Sequence, residues 1–263
     1  MLTTDNMVLF WRTADIYSNW HPSPFMLDGV KYLNVEQCMM AEKARLFGDE
    51  DALESIMLSK DPSQIKAAGR RVQGYDDALW SAYREDVIYH ACYEKFKQNP
   101  TLLTQLLATN DKELVEASPV DVIWGIGLAE DDPRALDKTQ WRGQNLLGKA
   151  LMSARDMLRR RDDFAKWYHQ EVGISLDEAK RREVYDLDLI ESAWLAGYKF
   201  AAAPLTDADI EAVMEPCEGS AFAEHLRREF VKSFKRVYFK LHPERAHGIG
   251  AQESKHESNL PFL

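Results

Sequence analysis

The chain is poor in cysteine. It has three in 263 residues, Cys38, Cys92 and Cys217. The number is odd, the positions are far apart and no CxxC occurs, which excludes a disulfide framework and reads as reduced thiols of a cytoplasmic protein. The seven histidines show no HxxxH or HExxH spacing, and His242, His247 and His256 fall in the C-terminal tail, so neither a metal nor another cofactor is expected. No apolar run approaches the roughly 18–20 residues of a membrane helix. The first stretch, MLTTDNMVLFWRTADIY, has an acid at Asp5 and no basic segment, which argues against a secretory leader. Internal repeats and low-complexity segments are also missing.

Positive charge is in deficit. The net charge is −10, and residues 1–161 hold 20 Lys and Arg against 24 Asp and Glu. A surface of that sign repels a phosphate backbone at long range, so stable binding to duplex DNA is not expected. A pocket for one anionic nucleotide remains open, because local cations can outweigh net charge. With 45% hydrophobic and 29% charged residues the composition is that of a globular protein with a real core.

Two regimes meet near RRRDD, Arg159 to Asp163. The organisation expected is a domain over 1–161, then a helical C-terminal region over 162–263 with a mobile tail. The fold class expected is mainly α with a few short β-strands. MVLFW reads as a buried strand, and Asp28-Gly29 between two apolar runs predicts a type I′ hairpin. Asn34 followed by Gln37 predicts a capped helix over LNVEQCMMAEKARLF. Further helices are predicted in DPSQIKAAGRRV, ALWSAYREDVIYHACYEKFKQ, PTLLTQLLAT and GQNLLGKALMSARDMLRRR, with VIWGIGLAEDDPRALD as a loop. Beyond it, Ser175, Thr206 and Ser220 are candidate caps, and Phe222, Leu226, Phe230, Phe234 and Leu241 form an apolar stripe read as core.

WRGQNLLGKALM places Gly143, Gly148 and Lys149 at P-loop spacing, but Ala150 stands where that loop needs a hydroxyl for Mg²⁺. On the helix EQCMMAEK, Glu36 and Lys43 lie seven residues apart and so within roughly 20° of one line. Met39 and Met40 fall between them. The face either grips a sugar between an acid and an amine, or carries solvated charges around a methionine contact. VDVIWGIG sets Asp121 and Trp124 beside two glycines: a strand ending in a turn, or a place where a backbone and an indole approach a base. SNWHPSPF offers Asn19 and His21 in a proline-rich loop. Arg155, Arg159, Arg160 and Arg161 read as the cationic end of a helix, and Arg228, Lys232, Lys235 and Lys240 as a solvated face.

Taken in order, these blocks resemble the NADAR superfamily of YbiA-like N-glycosidases. The matching run comprises FW (10–11), SNWHPSPF (18–25), DGVKYLNVEQCMMAEKARLFGD (28–49), AAGRRV (67–72), KFKQNPTLLTQLLATNDKELVEASPVDVIWGIG (95–127) and WRGQNLLGKALMSARDML (141–158). GQNLLGKAL then looks like the family's N-x-L-G element, with Asn145, Leu147 and Gly148 matching. The resemblance implies a mainly helical fold and metal-free cleavage of a C1′–N bond at a ribose, either removing ADP-ribose from a nucleobase or hydrolysing a riboflavin-pathway ribosylamino-pyrimidine phosphate. A non-catalytic module that binds NAD or ADP-ribose is the alternative of another class. Partners implied are a small nucleotide-like substrate or ADP-ribosylated nucleic acid, with no membrane.

On that resemblance Glu36 stabilises an oxocarbenium-like centre, and Glu36 or Asp121 activates water. Lys43 binds phosphate or attacks C1′. Trp124 stacks on the base, and Asn19, Arg70 and Asn145 bind ribose or phosphate. Phe10, Arg12 and Gly125 complete the expected substrate contacts. Riboflavin-type members carry a short WGDGG-like loop. The longer WGIGLAEDDPRALDKTQWRGQN here resembles instead the branch with HPSPF and MMAEKARLFGD, which favours ADP-ribose.

Overall fold

The computed structural model describes residues 1–172 and 175–181. The expectations placed on Cys217, the Thr206 and Ser220 caps, the stripe from Phe222 to Leu241, the basic face of Arg228 to Lys240 and the histidine-bearing tail lie outside the described residues. By contacts the chain divides into two compact units, Met1–Arg159 and Arg160–Leu263.

The first unit is mainly helical with short strands. Strands β1 (Leu2–Thr3) and β2 (Met7–Phe10) pair antiparallel, and β2 pairs in parallel with β5 (Glu113–Glu116), giving the order β1-β2-β5. The parallel register sets Phe10 opposite Glu116. Strands β3 (Phe25–Leu27) and β4 (Val30–Tyr32) form the expected hairpin. Its turn has φ of 50° at Asp28 and 78° at Gly29, the two positive values that type I′ requires.

Helix α1 (Val35–Leu46) runs through the core against α2 (Glu50–Leu58), α3 (Pro62–Arg70) and α4 (Asp77–Gln98). Because it is covered on several sides, Val35, Cys38, Met39, Ala41 and Ala44 are all buried rather than confined to one stripe. Asn34 caps it by accepting the Gln37 N–H at 2.9 Å. Gln37 itself is buried and fully used: it accepts from the Leu33 N–H and donates to the Ile56 and Ser59 carbonyls. Cys38 and Cys92 are buried free thiols, and burial pushes both well above the ordinary thiol range.

Helix α5 (Pro100–Leu107) leads to β5, and a long irregular segment with two short 3₁₀ turns (Pro133–Leu136, Lys138–Gln140) precedes α6 (Leu146–Val172). In the second unit Ser175 caps α7 (Leu176–Arg181) by accepting the Glu178 N–H at 3.2 Å.

Several elements depart from the sequence reading. Helix α2 was not anticipated, although Asp49 caps it through the Ala52 N–H. Strand β5 was not anticipated either; ELVE is too short to show a period. The arginine run does not end a helix, since α6 continues to Val172. Arg155 is instead 4% exposed and donates to the Thr109 hydroxyl and the Lys112 carbonyl, tying α6 to the turn before β5.

Candidate active site

Glu36 occupies the first turn of α1, where a backbone N–H lacks an intrahelical partner. Its N–H donates to the Asn19 carbonyl at 3.0 Å, so the loop carrying Asn19 is pinned to the helix start. The same loop is held from below by Lys95, a lysine 1% exposed, which donates to the Ile16 carbonyl at 2.7 Å and the Ser18 carbonyl at 3.0 Å. Burial lowers the Lys95 amine to about 8.

The Glu36 side chain is 6% exposed. Its carboxyl is raised to about 7, chiefly by burial and also by the Asp121 carboxylate, against Lys66, the Asn19 side chain and Arg70, which act in the opposite direction. Lys66 and Arg70 stand one turn apart on α3, both exposed. Asn19 is 6% exposed, and its amide oxygen is buried without a hydrogen-bond partner. The sequence-predicted Glu36, Asn19, Asp121 and Arg70 are therefore brought together.

Sequence reasoning missed two members of this group. One is Lys66. The other is Glu116 at the end of β5, whose carboxyl is raised to about 8 by burial, Asp121 and Glu36, with Lys66 opposing. Its Oε2 is buried and unpartnered. The only sequence signal was its place inside the matching block from Lys95 to Gly127.

Asp121 organises the following turn. Its Oδ1 accepts from the Ile123 N–H at 2.9 Å and the Trp124 N–H at 2.8 Å, which fixes the partly buried Trp124 beside the first unit's core. Gly125 is required by packing: a Cβ there would stand 2.8 Å from the Glu116 carbonyl oxygen and 3.0 Å from that of Asp121. The turn then caps α6, because the N–H groups of Asn145, Leu146 and Leu147 donate to the carbonyls of Gly125, Ile123 and Trp124. These are the donors a phosphate loop would leave free, so the Walker-like spacing does not build a nucleotide cradle. Gly148 is needed for another reason: a Cβ would lie 2.0 Å from the Leu114 carbonyl.

Three further predicted contacts are placed by the structure. Asn145 is wholly buried with φ of 53°; its Oδ1 accepts the Glu116 N–H at 3.0 Å and its Nδ2 donates to the Leu114 carbonyl at 2.9 Å. Its amide is spent on β5 rather than offered to ribose. Phe10 is also wholly buried, with its ring 5.6 Å from that of Tyr17. It belongs to the core. Arg12 is exposed and pairs with Glu130 at 3.7 Å.

Lys43 lies about 10 Å further along α1 from Glu36. Its amine donates to the Gly69 carbonyl at 2.9 Å and sits 4.1 Å from the centre of the Tyr75 ring, while burial lowers its pKa. Among the described residues no group of three His, Cys, Asp or Glu side chains has the arrangement of a metal site, and no helix is long and apolar enough to cross a membrane.

The site can do specific chemistry. A buried carboxylate on α1, with the Asn19 side chain beside it, lies near a half-buried carboxyl on β5, and two exposed cations on α3 are close by. That combination suits charge development at a sugar carbon next to an anionic group.

A family profile described as the NADAR domain matches residues 9–159. The chain is 42% identical over 166 residues to N-glycosidase R617 of Acanthamoeba polyphaga mimivirus, covering 59% of this chain and 98% of that one. It is 38% identical over 190 residues to protein irg-1 of Caenorhabditis elegans, covering 66% and 90%. The NMR structure of the E. coli protein YbiA superposes with a TM-score of 0.51 at 28% identity, over 61% of this chain and 89% of that one. The chain belongs to the NADAR domain family and is an enzyme of its N-glycosidase group.

Proposed function

We propose that this N-glycosidase hydrolyses the C1′–N bond between ADP-ribose and a nucleobase. The observation that carries the reading is the buried Glu36 carboxyl, raised to about 7 and flanked by Asn19, Lys66 and Arg70. A carboxylate held in a largely dry site stabilises an oxocarbenium-like centre strongly and accepts a proton from the attacking water. Asp121 keeps the local field negative beside it, and the same carboxylate sets the turn that presents Trp124 for stacking on the base.

The exposed Lys66 and Arg70 supply positive charge where a substrate pyrophosphate would lie, which matches ADP-ribose better than a phosphate-free riboside. The Lys43 amine contacts a carbonyl and a π-face, as an ammonium does, while its burial lowers its pKa toward the free amine; phosphate binding is the role assigned to it in this reading. The 42% identity to a protein named N-glycosidase supports the bond class.

Mass spectrometry of products tests the reading. Wild type and Glu36→Gln are each incubated with a short single strand bearing ADP-ribosylated guanine and with a ribosylamino-pyrimidine phosphate. Restored guanine that depends on Glu36 is the expected result. Cleavage of the pyrimidine alone transfers the enzyme to riboflavin-type substrates, and tight ADP-ribose binding without cleavage of either makes it a binding module.

A further inference from the structure

Glu116 is half-buried with a buried Oε2, is rigidly placed, and has no role in the mechanism above. Its backbone is fixed from three sides: the N–H by Asn145 Oδ1 at 3.0 Å, the carbonyl by the Ile126 N–H at 3.0 Å, and the strand itself by its register with Phe10. Gly125 and Gly148 lack side chains where a Cβ would press on the Glu116 and Leu114 carbonyls. The N-x-L-G element and the Gly-rich turn thus converge on the end of one strand. Yet the carboxyl they position has a buried Oε2 with no partner, and the Asn19 side chain that contacts Glu36 likewise has a buried, unpartnered amide oxygen. Groups held that firmly and left unsatisfied await a ligand.

We propose that Glu116 is a second catalytic residue, the general acid that protonates the departing base nitrogen while Glu36 serves the sugar side. The inference rests on the N-glycosidase reading above. As the C1′–N bond breaks, its electron pair passes to the base nitrogen and the Glu116 carboxyl proton is transferred there. Water supplies the oxygen bonded to C1′, and Glu36 takes the proton that water releases. Solvent exchange returns the first proton to Glu116 and removes the second from Glu36.

The division of roles follows from what faces each group. The Glu36 anion is favoured by Lys66, Arg70 and the Asn19 amide. Glu116 is opposed by Asp121 from the turn and Glu36 from α1, with Lys66 from α3 alone in its favour, and the neutral Cys92 thiol of α4 adds no charge. The Glu36 charge disfavours ionisation of Glu116, and the pair separates into one anion and one acid.

The test compares two leaving groups. A guanine N-linked to ADP-ribose needs a proton to depart; the pyridinium of NAD leaves as neutral nicotinamide and needs none. Wild type, Glu116→Gln and Glu36→Gln are assayed on both, with kcat followed against pH. Glu116→Gln is expected to lose roughly 10²–10⁴-fold on the guanine substrate and to stay within about threefold of wild type on NAD, whose cleavage also shows that the variant is folded. Wild type is expected to show an alkaline limb in kcat near pH 8 on guanine only. Equal losses on both substrates, no loss on guanine, or the same alkaline limb on both would overturn the acid role while leaving the N-glycosidase reading intact. If wild type cleaves neither substrate, the ADP-ribose reading falls, and this proposal with it.

Discussion

Asn145 and Glu116 are 29 residues apart, and the Asn145 side-chain oxygen accepts the Glu116 backbone N–H at 3.0 Å while its amide donates to Leu114. One side chain thereby joins the start of α6 to the strand that ends in the site. Asn145→Ala leaves a buried N–H and a buried C=O unpaired and puts a Cβ residue without a compensating side chain at φ of 53°. It is expected to cost about 3 kcal/mol, read by urea denaturation, and to lower turnover with it.

Gly148→Ala tests the neighbouring contact. The new Cβ would stand 2.0 Å from the Leu114 carbonyl and 2.4 Å from the Asn145 amide nitrogen, both parts of the clamp. A loss of about 3 kcal/mol is expected in thermal denaturation. Lys149→Ala, at an exposed neighbour, is expected to change neither stability nor turnover. Loss of activity there would revive a phosphate-loop role.

Glu36 and Glu116 both have folded-state pKa values raised above 4.5, to about 7 and about 8. Between the unfolded and folded values the native state binds more protons, so stability falls as pH rises through that window. Glu36→Gln and Glu116→Gln are each expected to raise Tm at pH 8 relative to wild type, and to gain little at pH 4. A variant less stable at both pH values would show that burial is not the dominant influence.

Lys95 is the opposite case. Its folded pKa is lowered from 10.5 to about 8, so the unfolded chain binds more protons between those values and this group's contribution to stability rises with pH across them. Lys95→Met removes the penalty but leaves the Ile16 and Ser18 carbonyls unsatisfied, a net cost of about 2 kcal/mol at pH 7. Release of the Asn19 loop should also lower kcat; a stable variant with full turnover would show that the loop does not need this anchor.

For Lys43, Lys43→Arg separates its two roles. A phosphate-binding cation should survive the change within about tenfold, while Lys43→Ala loses more. Trapping with cyanoborohydride during turnover should give no adduct at this residue. A covalent sugar on Lys43 would instead establish attack on C1′.

Local signals in the sequence determined much of this protein. The Asp28-Gly29 hairpin, the Asn34 cap and the main helices depend on backbone preferences and contacts a few residues long, so they are legible without the fold. The order of blocks carried the family. Glu36 stood out because helical spacing and its place in the first turn are properties of one segment.

What only the tertiary structure decided is which groups share a low-dielectric space. Glu116 looks like any acid at the end of a four-residue strand until β5 is laid against β2 and brought near α1. Asn145 looks like a ligand until its amide is seen to be consumed by β5. Phe10, the last residue of β2, and Arg12, two residues beyond it, separate into core and surface because the chain leaves the strand after Phe10. Burial, and with it the pKa of each carboxyl, is a sum over neighbours distant in the chain, and no short stretch of sequence contains that sum.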